Sequence, residues 1–265
     1  MTATLLTAHA GPVFEVTLNR PAKLNAISDE MLAALKDAVA EFAATRALRV
    51  MLVQANGRYF CAGAELDTGI SPDVGDSTLD GRRWYRDKWH SLFDAIESVE
   101  KPVVAAHQGP CLGGGLELSL ACDFRLAAAE ATYALPEIDI GALPGSGGIS
   151  RLTRLAGPHW ARWLALAGEQ VDAQQALAMG LVHKVVAGAQ LAAEARAFCE
   201  RLAGKSYEAL GLAKLSIELS ADLGRAQARN VERIANSVLF TGAEHKRLVQ
   251  DFVERQAARR RRPTQ

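Results

Sequence analysis

The chain opens with alternating apolar and polar positions. Leu5-Leu6-Thr7 and Val13-Phe14-Glu15-Val16-Thr17-Leu18 carry β-branched residues on either side of Gly11-Pro12, which predicts two strands separated by a turn. Asn19-Arg20-Pro21 ends the second strand, and the period then changes. Met31, Leu32, Leu35, Val39 and Phe42 recur at helical spacing behind Ser28, a good N-cap, with Asp29 and Glu30 in the favourable first turn. Val50-Met51-Leu52-Val53 is a short apolar run of the buried-strand kind, broken at Asn56-Gly57. Residues 67–82 (DTGISPDVGDSTLDGR) predict a mobile loop, and a helix is expected from about Trp84 to Val99. Further strands are expected at 102–106, near 124–127 and at 132–134.

From about residue 145 the pattern is helical. Asp172 with Gln175, and Thr241 with Glu244, have capping-box spacing, and Gly180 stands where a glycine would stop a helix. No strand-like stretch follows Gln190. Short apolar strands alternating with helices predict an α/β fold, with a core over 1–195 and a helical region over 196–265.

Composition narrows the function. The chain has 265 residues, of which 49% are hydrophobic and 23% charged, enough to bury a large core. Thirty basic residues balance thirty acidic ones, so neither a strongly basic nucleic-acid binder nor an acidic disordered chain fits. Seven basic against three acidic residues follow Thr241, but the closing Arg259–Arg262 run reads as a solvated, partly disordered end. No apolar run reaches the roughly 18 residues of a membrane span, and Met1–Val16 lacks the positive charge of a secretion signal. Four scattered cysteines without a CxxC pair argue against zinc and against a disulfide scaffold. A cytoplasmic setting is expected, without membrane or nucleic-acid partners.

Three segments break the local rules: Phe60–Leu66, Gly109–Leu118, and Leu135–Gly141 with the following Pro144-Gly145-Ser146-Gly147-Gly148. Gly113-Gly114-Gly115 is expensive in regular structure, which points to a special backbone conformation or to close approach of a ligand. A helix starting there would offer free N–H groups to developing negative charge. Glu117 among Leu116, Leu118 and Leu120, and Glu137 just after Pro136, each fit two roles. They either stabilise a first helical turn or form a pair that divides acid and base work. Twenty residues of separation do not show that they meet. The six histidines lack metal-ligand spacing; His90 and His107 read as surface or satisfied core residues, and Cys61 and Cys111 as small apolar packing.

Taken together, these segments resemble the enoyl-CoA hydratase/isomerase, or crotonase, family over essentially the whole chain. Residues 19–26 (NRPAKLNA) are similar to its early CoA-binding stretch, and residues 60–66 and 113–123 (GGGLELSLACD) to its two oxyanion-loop motifs. Residues 135–137 (LPE) and 144–152 (PGSGGISRL) resemble its third block. The resemblance implies a spiral of ββα units with a helical C-terminal trimerisation region, as a homotrimer or a hexamer of paired trimers. It also implies an acyl-CoA substrate of fatty-acid metabolism and no prosthetic group, coenzyme A entering only as part of the substrate. The backbone N–H groups of Ala64 and Gly114 would form an oxyanion hole. Glu117 would activate water and Glu137 would protonate C2, while Lys23, Leu24, Ala62, Phe240, Phe252 and Arg255 would bind the CoA portion.

Keeping both glutamates favours a hydro-lyase adding water to a trans-2-enoyl-CoA. The alternatives are a double-bond isomerase using mainly Glu137, a specialised acyl-CoA lyase or dehydratase, and a non-catalytic CoA- or RNA-binding relative. Ile149-Ser150 replaces the Thr-Gln common at that point of the family. Trp84, Tyr85 and Trp89 are expected chiefly to pack within their helix, the alternative being an acyl pocket that the 67–83 segment would help to shape.

Overall fold

The computed structural model describes residues 3–66 and 77–260. The loop expected over 67–82 therefore lies largely outside the described residues, as do the side chains of the closing arginine run. Among the described residues, nine strands form two sheets. The larger has the order β1-β2-β3-β4-β6-β9 and the smaller β5-β7-β8. Their ranges are β1 Leu5–Ala10, β2 Val13–Leu18, β3 Val50–Ala55, β4 Val103–His107, β5 Cys111–Leu112, β6 Phe124–Ala128, β7 Thr132–Ala134, β8 Val171–Asp172 and β9 Lys184–Val186. β1 and β2 form an antiparallel hairpin, and every other pairing in the larger sheet is parallel. Parallel strands must be covered on both faces, which is why β3 and β4 are apolar runs rather than alternating ones.

The two-residue period sorts side chains onto two cores. Phe14, Val16, Met51, Val53 and Val103 face one apolar cluster with α1 (Asp29–Ala44). Val13, Val50, Leu52 and Val104 face the other. The helices that follow α1 are α2 (Thr78–Trp84), α3 (Ser91–Ser98), α4 (Gly114–Leu120), α5 (Gly148–Ala161), α6 (Ala173–Ala178) and α7 (Gly188–Ala203). α2 starts at Thr78 with the Ser77 side chain capping Asp80, six residues before the expected start. It runs through a π turn over Tyr85–His90 into α3.

Beyond residue 145 the pattern is not purely helical. β8 and β9 are two- and three-residue strands, too short to carry a periodic signal, and tertiary pairing alone makes them strands. The Asp172–Gln175 capping box is present in full. The fold divides into compact units after Ala203 rather than at 195. Ala195, Cys199 and Leu202 of α7 are buried in the second cluster, so the helix belongs with the sheet it covers.

The C-terminal unit holds α8 (Tyr207–Asp222), α9 (Arg225–Thr241) and α10 (Ala243–Arg260). The expected Thr241–Glu244 capping box does not form. The Thr241 hydroxyl donates to the Val238 carbonyl 2.8 Å away. The Glu244 carboxylate instead accepts from the Ser206 hydroxyl and from the Tyr207 and Glu208 amides, capping α8 rather than its own helix.

Candidate active site

The three rule-breaking segments meet at one cavity of about 660 Å³. Its wall includes Ala62, Ala64, Gly114, Glu117 and Glu137, so five residues singled out from the sequence share one space.

The segment after β3 is held by edge-like pairing. Ile27 N–H donates to Gly63 O at 2.8 Å, and Glu65 N–H donates to Ile27 O at 3.0 Å. The intervening Ala64 N–H points the other way, and among the described residues no acceptor receives it. Gly113 opens α4 with φ +51 and ψ −130, a conformation costly for any residue with a Cβ. Its own N–H is spent on Ala134 O at 3.0 Å, whereas the next amide, Gly114 N–H, has no acceptor among the described residues. A methyl group added at Gly114 would lie 3.4 Å from the Ala64 nitrogen. Two free amides therefore converge, one from each loop. The loops are also tied directly: Cys61 and Cys111 form a parallel bridge, and Leu112 N–H donates to Cys61 O at 2.9 Å.

Glu117 is 4% exposed on an entirely buried helix. Its Oε1 accepts from Ser146 N–H at 2.8 Å and Gly148 N–H at 2.9 Å. Burial raises its pKa to about 7; the two amides pull it down, and the nearby Glu137 charge pushes it up. Glu137 sits on a 3-10 turn, Pro136–Ile140, with Pro136 at the first position as its ring geometry prefers. Its Oε1 lies 2.9 Å from the place where a Gly113 Cβ would be, and its Oε2 is buried without a hydrogen-bond partner. Burial raises the Glu137 pKa as well. Burial thus disfavours the charged form of both carboxyls.

Trp84, Tyr85 and Trp89 line the same cavity, the alternative to the packing role expected first for them. Trp89 does both. It is 5% exposed in the core, and its ring lies 3.0 Å from the position of a Gly114 Cβ. The Tyr85 phenol has its pKa raised by burial and then by the charges of Glu117 and Glu137, which places it within electrostatic reach of both. Residues 85 and 89 stand about one turn apart on the π stretch Tyr85–His90 and share this wall.

Several neighbours carried no sequence signal of their role. The amides holding Glu117 come from the Pro144–Gly148 run, whose glycines were its only mark. Arg20 and Glu65, on the wall, form a shielded ion pair at 2.7 Å. His90 Nε2 contacts Gly145 O at 2.8 Å, and buried His107 joins Tyr133 Oη at 3.0 Å and Ser119 Oγ at 2.9 Å. Ser150, at the departure from the family pattern, donates to Gly147 O at 3.1 Å.

The CoA candidates are less concentrated. Leu24 adopts the left-handed conformation after the turn Pro21–Lys23, and its carbonyl accepts from Ala62 N–H at 3.0 Å. That places Leu24 beside Ala62, while the Lys23 backbone bonds to Arg20 and Ala26. Phe240, Phe252 and Arg255 lie on α9 and α10 of the separate C-terminal unit. Both phenylalanines are exposed, and the Arg255 Nε donates to Asp251 O at 3.1 Å. Among the described residues no cluster of His, Cys, Asp and Glu has metal-site geometry, and no helix is long and apolar enough to cross a membrane.

The buried carboxyl of Glu117, the half-buried carboxyl of Glu137 and the backbone of Ala64 and Gly114 thus line one cavity. The sequence model of the enoyl-CoA hydratase/isomerase family matches residues 8–260. The chain is 33% identical to the crotonyl-CoA hydratase of Syntrophomonas wolfei over 91% of each protein. It is 32% identical to the short-chain-enoyl-CoA hydratase of Clostridium acetobutylicum over 92% of each. Among solved structures, the enoyl-CoA hydratase of Bacillus anthracis superposes with a TM-score of 0.88 at 31% identity, covering 95% of this chain and 96% of that one. The chain belongs to the enoyl-CoA hydratase/isomerase family, and its fold is that family's α/β core with a C-terminal helical region.

Proposed function

We propose that the protein is an enoyl-CoA hydratase, a hydro-lyase that reversibly adds water across the double bond of a trans-2-enoyl-CoA. The observation that carries this reading is the convergence of Glu117, Glu137 and the free Ala64 and Gly114 amides on one cavity. The hydratase relatives at 32–33% identity support it.

The chemistry follows from the geometry. The thioester oxygen accepts from the Ala64 and Gly114 N–H groups, which strengthen their hold as negative charge develops; losing one such donor typically costs about 2.7–4 kcal/mol. Glu117 Oε1 is committed to two amides, so Oε2 takes the proton of the attacking water. As the new C3–O bond forms, the π electrons move through C2 to the thioester oxygen. The enolate then collapses, and C2 takes a proton from Glu137. In this assignment Glu137 enters the reaction protonated and Glu117 ionised, so that one negative charge is shared by two nearby carboxyls whose charged forms burial disfavours. Proton return from Glu117 to Glu137 resets the pair.

Lys23, Leu24 and Ala62 are assigned to the CoA portion, with Phe240, Phe252 and Arg255 contributing from the C-terminal helices of a neighbouring subunit. The assembly is a homotrimer or a hexamer, and a cytoplasmic location accords with four buried cysteine thiols.

The test is loss of the conjugated enoyl-thioester absorbance with crotonyl-CoA. Glu117→Gln and Glu137→Gln should each lower the rate about 100-fold or more. A Glu117→Gln variant that still moves the double bond of a 3-enoyl-CoA at near wild-type rate would instead identify an isomerase.

A further inference from the structure

The Pro144–Gly148 run holds Glu117, but something must hold the run. The carbonyls of Gly145, Ser146 and Gly147 are all engaged. His90 contacts Gly145 O at 2.8 Å; that oxygen can only accept, so His90 Nε2 carries the hydrogen. Arg151 Nη1 donates to Ser146 O at 3.1 Å. Gly147 O accepts from Arg151 N–H at 3.0 Å and from the Ser150 hydroxyl. The same guanidinium is anchored on α3. Its Nη2 reaches Glu97 Oε2 at 2.7 Å and Asp94 Oδ1 at 2.8 Å, and its Nε reaches Glu97 at 3.1 Å. The side chain is only 12% exposed. It lies so close to the loop that a Cβ at Gly147, where φ is +96, would sit 2.1 Å from Nη1.

A trans peptide points its C=O and the following N–H in opposite directions. The peptide joining Gly145 to Ser146 therefore has His90 on one edge and Glu117 on the other. The peptide joining Gly147 to Gly148 has Ser150 and the Arg151 amide on one edge and Glu117 on the other. The Arg151 guanidinium fixes the intervening Ser146–Gly147 peptide. The two outer peptide planes cannot rotate without breaking contacts at both edges, and the middle one cannot rotate without breaking its bond to Arg151.

The geometry points to His90 and Arg151 as positioning residues that act on Glu117 through the backbone of Gly145–Gly148, setting where its carboxyl stands and how readily it takes a proton. Neither side chain touches Glu117; their effect passes through the peptide planes. The inference rests on the reading of Glu117 as the water-activating group.

The experiment compares His90→Ala, Arg151→Gln, Arg151→Lys and Glu97→Gln with Glu117→Gln on crotonyl-CoA, recording kcat, KM, the pH profile of kcat/KM and the thermal midpoint. His90→Ala and Arg151→Gln should lower kcat about 10- to 100-fold, the cost of misplacing a reacting group, while KM changes little. With looser amides on its Oε1, Glu117 should protonate more easily, moving the acidic limb of kcat/KM up by roughly one pH unit. Arg151→Lys keeps the charge but not the fork and should recover part of kcat. Glu97→Gln weakens the anchor alone and should shift the limb in the same direction by less. An inactive Glu117→Gln together with an unmoved acidic limb in folded His90→Ala would overturn the inference and leave the hydratase reading standing. A fully active Glu117→Gln would overturn the hydratase reading itself. Should Arg151→Gln fail to fold, His90→Ala decides, because His90 is only half-buried and belongs to neither apolar core cluster.

Discussion

Glu117 shows how one buried side chain couples activity to stability. Its pKa of about 7 in the fold stands above the ordinary value of 4.5, so folding favours its protonated form. The stabilisation that this gives is complete below about pH 4.5 and is lost as pH rises through about 7. Above that range the ionised carboxylate costs about 3 kcal/mol, a figure that follows from 1.36 kcal/mol per pKa unit. Glu117→Gln should therefore raise the thermal midpoint at pH 8, and the advantage should vanish by about pH 4.5. The same ionisation governs the reaction. kcat/KM for crotonyl-CoA should rise with pH through a limb near 7, because only the ionised carboxylate takes a proton from water. A flat profile from pH 5 to 8 would remove Glu117 from that role. The cysteines make the opposite case. Burial pushes the thiols of Cys61 and Cys199 up to about 12 and raises that of Cys111, so native protein should resist alkylation by iodoacetamide that labels the denatured chain at once.

The three glycines that open α4 do different work, which substitution should separate. A Cβ at Gly115 would lie 2.5 Å from the Cys61 Cβ, inside a rigid bridge between loops. Gly115→Ala must force α4 away from the Cys61 strand, and overpacking of this kind costs about 1–3 kcal/mol or more. The expected result is a large fall in thermal midpoint or insoluble protein. A Cβ at Gly114 meets only the Trp89 ring, at 3.0 and 3.3 Å, and the space beside the Ala64 amide. Gly114→Ala should keep the fold and lower kcat, by an amount comparable to the loss of one oxyanion donor, about 100-fold. Equal loss of stability in both variants would show that Gly114 serves packing rather than the thioester oxygen. The helix that runs from α2 through the π turn to α3 has a double task. It lines the cavity with Trp84, Tyr85 and Trp89, and it anchors the Glu117 loop through His90, Asp94 and Glu97.

The C-terminal helices expose more large apolar side chains than a solitary soluble unit would be expected to leave in water. Ile217 is 68% exposed, Ile234 65% and Val253 59%, alongside Val238, Phe240 and Phe252 on neighbouring turns. Self-association through such faces is the physical content of the proposed trimer. Light scattering should give three or six times 28.4 kDa, and a monomer at micromolar concentration would rule the assembly out. Because Phe240, Phe252 and Arg255 are proposed to meet the CoA of a neighbouring subunit, Arg255→Ala should raise KM several-fold while kcat holds. An unchanged KM would remove Arg255 from the CoA contacts.

Local pattern was enough for the α/β class, the β1–β2 hairpin, the Ser28 cap and the Asp172–Gln175 box, because each depends on residues within a few positions of one another. It also marked Gly113–Gly115, Glu117 and Glu137, since glycine runs and carboxylates in apolar company are anomalies a short window can register. The strands β8 and β9, and the transfer of Glu244 to cap α8, depended on partners far along the chain. So did the meeting of Glu117 with Glu137, and the seating of Arg151 between α3 and the Ser146 carbonyl. Periodicity reports which face of an element is apolar. It carries no information about which distant backbone amide a buried carboxylate will find, because that contact exists only after the sheet has stacked its helices and brought three separate loops to one end of the core.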